Sequence, residues 1–174
     1  MRFLKELVQV VNQNKVKQIE LLSLRKHQGS KINALYRLLS KEAGVSDEEA
    51  FTLLYPESNS RSAYNNLKGH LRDRLINTLF FIDTSKSNYS DRQTAYFEAH
   101  KEYAAAQILL AKNAHHSART LLAKLLKRSL HYDFTELSWM TARILRLEYS
   151  TRSGDQEKFE EYQQIVEQVT RVID

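Results

Sequence analysis

A chain of 174 residues with 42% apolar and 27% charged side chains is long enough to bury a core and is ordinary for a globular protein. The absence of cysteine excludes disulfides, thiolate metal sites and a cysteine nucleophile, and fits a reducing, cytoplasmic setting. One proline and four glycines leave few breaks, so long helices are expected; the net charge of +5, carried wholly by residues 1–87, is modest.

The opening MRFLKELVQVV lacks a signal-peptide core and reads as part of the fold. Phe3, Leu4, Leu7, Val10 and Val11 recur at helical spacing and predict a first helix. A short second helix is expected around Val16, Ile19, Glu20 and Leu22, before the polar break RKHQGS. Ser30 then caps a helix whose apolar face is Ile32, Leu35, Tyr36, Leu38 and Leu39, and Gly44 ends it. Ser46 followed by Glu49 is a capping box, and Asp47 and Glu48 suit the positive end of the helix dipole. This helix carries Ala50, Leu53 and Leu54 and must stop by Tyr55, because Pro56 disfavours helical geometry in the residue before it.

Asn59 or Ser60 opens a long helix with Tyr64, Leu67, Leu71, Leu75 and Thr78 on one face. Gly69 in its middle costs about 1 kcal/mol relative to Ala, which predicts close packing there. TSKSNYSD has linker character and separates a module at 1–83 from one at 90–174. Four helices are expected beyond it, over 90–112, 114–130, 134–152 and 155–172, joined at Asn113, HYDF and SGD. Joints this short make successive helices antiparallel neighbours. The fold class expected is therefore all-α, with the second module built from antiparallel helical hairpins.

In that second module Ala104, Ala105, Ala106 and Ala111 precede the joint at Asn113, and Ala118, Leu121, Leu122 and Leu125 follow it. Leu145 and Tyr149 stand before Gly154, with Phe159, Tyr162 and Val166 after it. Over residues 96–170 this resembles the tetratricopeptide-type helical hairpin repeat, which implies stacked helix pairs sharing a continuous core. Ile165, Val166, Val169, Val172 and Ile173 on the last helix then imply further chain or a partner over that surface.

Residues 31–80 resemble the helix-turn-helix segment of bacterial antibiotic-regulatory-type transcriptional activators. The resemblance rests on Leu54-Tyr55-Pro56-Glu57, then Asn66-Leu67, Leu71 and Leu75. No strand pair that could form a wing follows Leu79. Arg61, Asn65, Lys68 and Arg72 form a polar stripe opposite the leucines, the layout of a recognition helix that reads bases and phosphates. A second basic face, His116, Thr120, Lys124, Lys127 and Arg128, lies in a stretch without acids between Glu102 and Asp133; Glu157, Glu160 and Glu161 are expected to balance it.

No catalytic chemistry is legible. No two histidines stand three or four apart, and adjacent His115 and His116 point about 100° apart on a helix. Glu98 and Glu102 share a face, expected as solvated charge near Lys101 and Arg92. Four scattered glycines form no phosphate loop, and no nucleophile-elbow motif occurs. Neither cofactor nor metal is expected. What remains is a non-catalytic interaction or scaffold protein without a membrane span. A protein or peptide partner would meet Tyr103, Trp139 and Tyr149 as apolar anchors, with Arg143 and Arg146 fixing acidic groups. The alternative is a DNA-binding regulator using Arg61, Asn65, Lys68 and Arg72.

Overall fold

The computed structural model describes residues 1–13, 31–41, 45–56, 60–84 and 89–173, and every regular element among them is helical. The helix expected over 16–22, the Ser30 cap, the Gly44 stop and residues 85–88 of the linker lie outside the described residues. The chain divides into two compact units, Met1–Asp83 and Thr84–Asp174.

In the first unit, α1 (Arg2–Gln13), α2 (Lys31–Lys41), α3 (Asp47–Leu54) and α4 (Arg61–Leu79) enclose one core. On α1 the buried set is Leu4, Leu7, Val8 and Val11, a single stripe at i, i+3, i+4 and i+7. Phe3 and Val10 are exposed, so the buried face is turned towards Val8 relative to the expected one. α1 packs on α2 and α4, and α3 packs on α2. Ser46 and Glu49 exchange both capping-box hydrogen bonds, at 3.1 and 2.7 Å, and satisfy two of the donors that the first turn leaves open. α3 stops at Leu54 with Tyr55 as its cap, as the following proline requires. Its Leu53 points outward, and only Ala50 of the three expected apolar residues is fully buried.

Tyr64, Leu67, Leu71, Leu75 and Thr78 all face the core from α4. Gly69 departs from expectation. A Cβ built there meets nothing within 4 Å, so close packing is not what keeps a glycine at this position.

The second unit holds α5 (Asp91–Ala111), α6 (His115–His131), α7 (Thr135–Glu148), a widened π-turn at Tyr149–Ser153 and α8 (Gln156–Ile173). Ser90 and Gln93 form a second capping box at the start of α5. Each of the three joints turns on one left-handed residue: Asn113 (φ 60°), Asp133 (φ 54°) and Gly154 (φ 64°). Asparagine, aspartate and glycine are the residues that tolerate this region, the first two by local hydrogen bonding. At the first two joints the chain closes with a Schellman pattern: the Ala114 N–H donates to the Leu109 carbonyl and the Phe134 N–H to that of Ser129, both at 2.8 Å.

The closest packing is between helices adjacent in sequence, α5 on α6, α6 on α7 and α7 on α8. The small residues that permit close approach on α5 are Ala95, Ala99 and Ala106; Ala105 and Ala111 are exposed. On α8, Tyr162, Val166 and Val169 turn inward, while Glu157, Glu160, Glu161, Gln164, Glu167 and Gln168 form a polar outer face. The expected uncovered apolar surface therefore shrinks to Val172 and Ile173 in the last turn.

Candidate functional site

The polar stripe of α4 does not stand alone. Arg61 ion-pairs with Glu48 and lies 3.8 Å from Asp47, with its guanidinium 4.4 Å from the Phe51 ring centre. Lys68 donates to both oxygens of Asp47 at 3.0 and 3.2 Å, and its side chain is only 20% exposed. The Tyr64 hydroxyl donates to the same carboxylate at 3.1 Å. Burial would raise the Asp47 carboxyl, but the hydrogen bonds from Lys68 and Tyr64 outweigh it and hold the group below its ordinary range. Burial and the Asp47 charge together push the Tyr64 phenol well up. Arg72 chelates its neighbour Asp73, and Asn65 is exposed. The acids at the start of α3 thus meet two of the four stripe residues.

In the second unit, α7 brings Trp139 and Arg143 together. The Arg143 guanidinium stacks 4.4 Å from the Trp139 ring centre, while the indole N–H donates to Thr170 of α8 at 3.1 Å. Arg146 donates to Gln163 at 2.7 Å, and the Tyr149 ring stacks on Tyr162 at 5.5 Å. These four residues therefore lie along the α7–α8 hairpin. Tyr103 is set apart on α5, where its hydroxyl accepts from Gln107 at 2.9 Å. Leu147, 58% exposed, continues the line of Trp139 and Arg143. The i, i+4, i+8 spacing of Trp139, Arg143 and Leu147 is a signal in the sequence that could have found it.

The expected balance of charge around α6 is realised differently. Arg128 turns to α5, pairing with Glu102 and approaching Glu98 at 3.6 Å, so Glu98 and Glu102 serve as its clamp. The Arg119 guanidinium lies 5.4 Å from the Tyr149 ring centre. Glu160 is bonded by Gln156 and Glu161 by Lys158 on their own helix, and α6 packs on α5 and α7. At the N-terminal end of α6, His115 Nδ1 and Glu148 Oε2 lie 2.9 Å apart, both side chains largely buried, with Arg152 3.8 Å from the other Glu148 oxygen. Nothing in the local sequence signals that pair, because its members are far apart in the chain.

Among the described residues no group of three or more His, Asp or Glu side chains is placed to hold a metal ion, and no helix is long and apolar enough to cross a membrane. Compared with known proteins, the chain matches no protein-family model, no curated protein and no solved structure.

Proposed function

We propose that this is a non-catalytic interaction protein whose α7–α8 edge receives a segment of another protein. The observation that carries the reading is the line Trp139, Arg143 and Leu147. A tryptophan held by a hydrogen bond, an arginine stacked on it and an exposed leucine one turn further on are set on one helical hairpin. Tryptophan and arginine are among the side chains that most often dominate binding energy at interfaces, where they fill well-packed, desolvated pockets. Arg143 would meet an acidic group of the partner, Leu147 an apolar one. The sequential packing of α5 to α8 supports a repeat-like scaffold for such an edge.

The electrostatics of α4 favour this reading over DNA binding by the first unit. Arg61 and Lys68 already face Asp47 and Glu48, and releasing them to phosphate would break those pairs.

The test compares proteins crosslinked in cells to wild type and to an Arg143→Glu/Leu147→Glu variant, both substitutions being at exposed positions. Loss of a defined set of partners from a variant with unchanged circular dichroism supports the reading. Identical sets, or none above a control, would overturn it.

A further inference from the structure

We propose that the outward face of α6, with the aromatic cluster at its C-terminal end, binds single-stranded nucleic acid. This surface is separate from the α7–α8 edge and rests on different observations. The inward-facing Arg128 and His115 of α6 are partnered, Arg128 by Glu98 and Glu102 and His115 by Glu148. Lys124 and Lys127 are exposed, and neither is in ion-pair contact with an acid among the described residues. His116 and His131 extend the same exposed face, and α6 contains no acid at all. At a rise of about 1.5 Å per residue, Lys127 lies about 4.5 Å along the axis from Lys124, and His131 about 6 Å beyond Lys127. An extended polyanion is what such a row attracts.

The cluster at the end of this row specifies the polyanion. His131 contacts Tyr132 at 4.9 Å between ring centres, Tyr132 stacks on Phe134 at 5.6 Å, and Phe134 meets Tyr96 edge-on at 5.3 Å. Tyr96 and Tyr89 both contact Phe97, at 6.0 and 5.2 Å. Tyr96, 45% exposed, and Phe97, 39% exposed, line a recess of about 460 Å³ together with Arg92, and Tyr89, also 45% exposed, stands against Phe97. Arg92 is held in place by a hydrogen bond to the Tyr132 carbonyl at 3.3 Å, with its guanidinium 5.2 Å from the Phe134 ring centre. Exposed rings beside a cationic track are how single strands are held without base-pair readout, bases on rings and phosphates on lysines. A duplex, with its bases already stacked, could use only the lysines.

The experiment is a fluorescence-anisotropy titration of a labelled oligouridylate of about twenty nucleotides, from about 25 to about 300 mM salt. It uses the full chain, a Lys124→Glu/Lys127→Glu variant and a Tyr96→Leu/Phe97→Leu variant that keeps apolar volume but loses the rings. Circular dichroism of each variant verifies its fold. The charge variant is expected to bind at least about ten-fold more weakly and to flatten the salt dependence by about two contacts. The ring variant is expected to lose about ten-fold with its salt dependence unchanged. A folded wild type that does not bind at about 25 mM salt overturns the proposal. So does equal binding of duplex with a neutral ring variant, or equal displacement by polyglutamate, which would make the face a site for acidic polypeptides. The α7–α8 reading is untouched by any of these results, since neither variant alters Trp139, Arg143 or Leu147.

Discussion

Lys68 of α4 reaches Asp47 in the first turn of α3, its ammonium bridging both carboxylate oxygens at 3.0 and 3.2 Å. Because Asp47 also accepts from Tyr64 and sits at the positive end of α3, one side chain ties the start of a short helix to the middle of a long one. Asp47→Asn is expected to lower stability by about 1 kcal/mol at neutral pH, the carboxylate being partly exposed. A carboxyl held below its ordinary range in the folded state stabilises above its unfolded pKa, and that contribution is lost as pH falls through the folded value. Urea titrations should therefore show wild type ahead of Asp47→Asn at pH about 7, with the gap closing below about pH 4. A gap that does not depend on pH would refute the assignment.

Gly69→Ala is expected to stabilise the first unit by about 1 kcal/mol. The added methyl meets no atom within 4 Å, and alanine removes the conformational entropy that a mid-helix glycine costs. A urea midpoint that moves downward would mean that the position is more crowded than the open space seen around it.

Ser138 lies in the core at α7 with its hydroxyl buried and without a protein hydrogen-bond partner among the described residues. Ser138→Ala removes an unpaired polar atom and adds helix propensity, so a gain of about 1 kcal/mol is expected. Thermal denaturation measures it; a loss of stability would show that the hydroxyl is satisfied in solution.

The His115–Glu148 pair links the start of α6 to the end of α7 across a largely buried contact. His115→Ala and Glu148→Ala should each destabilise, and the double variant should fall short of their sum by about 1–2 kcal/mol. Additivity to within about 0.3 kcal/mol in a chemical-denaturation cycle would leave the contact without energetic content.

Among the described residues, helices, stops and joints were legible because they are decided locally. The Ser46–Glu49 box, the halt before Pro56, the core face of Tyr64, Leu67, Leu71 and Leu75, and turns at Asn113 and Gly154 each depend on neighbours within about one helical turn. What tertiary structure decided is where each charge and each small residue points. Arg61 and Lys68 read as a solvent stripe until α3 brought Asp47 and Glu48 against them. Glu98 and Glu102 share a face in the sequence, but only the packing of α5 on α6 makes them the clamp for Arg128 and leaves Lys124 and Lys127 outside it. Ile165, Val166 and Val169 became α8's inward or half-buried side by packing on α7, whereas Gly69 was left facing open space. Periodicity determines that a helix has two faces. The approach of a second helix, distant in the chain, determines which ion pairs form, because a charge chooses its partner by distance in space.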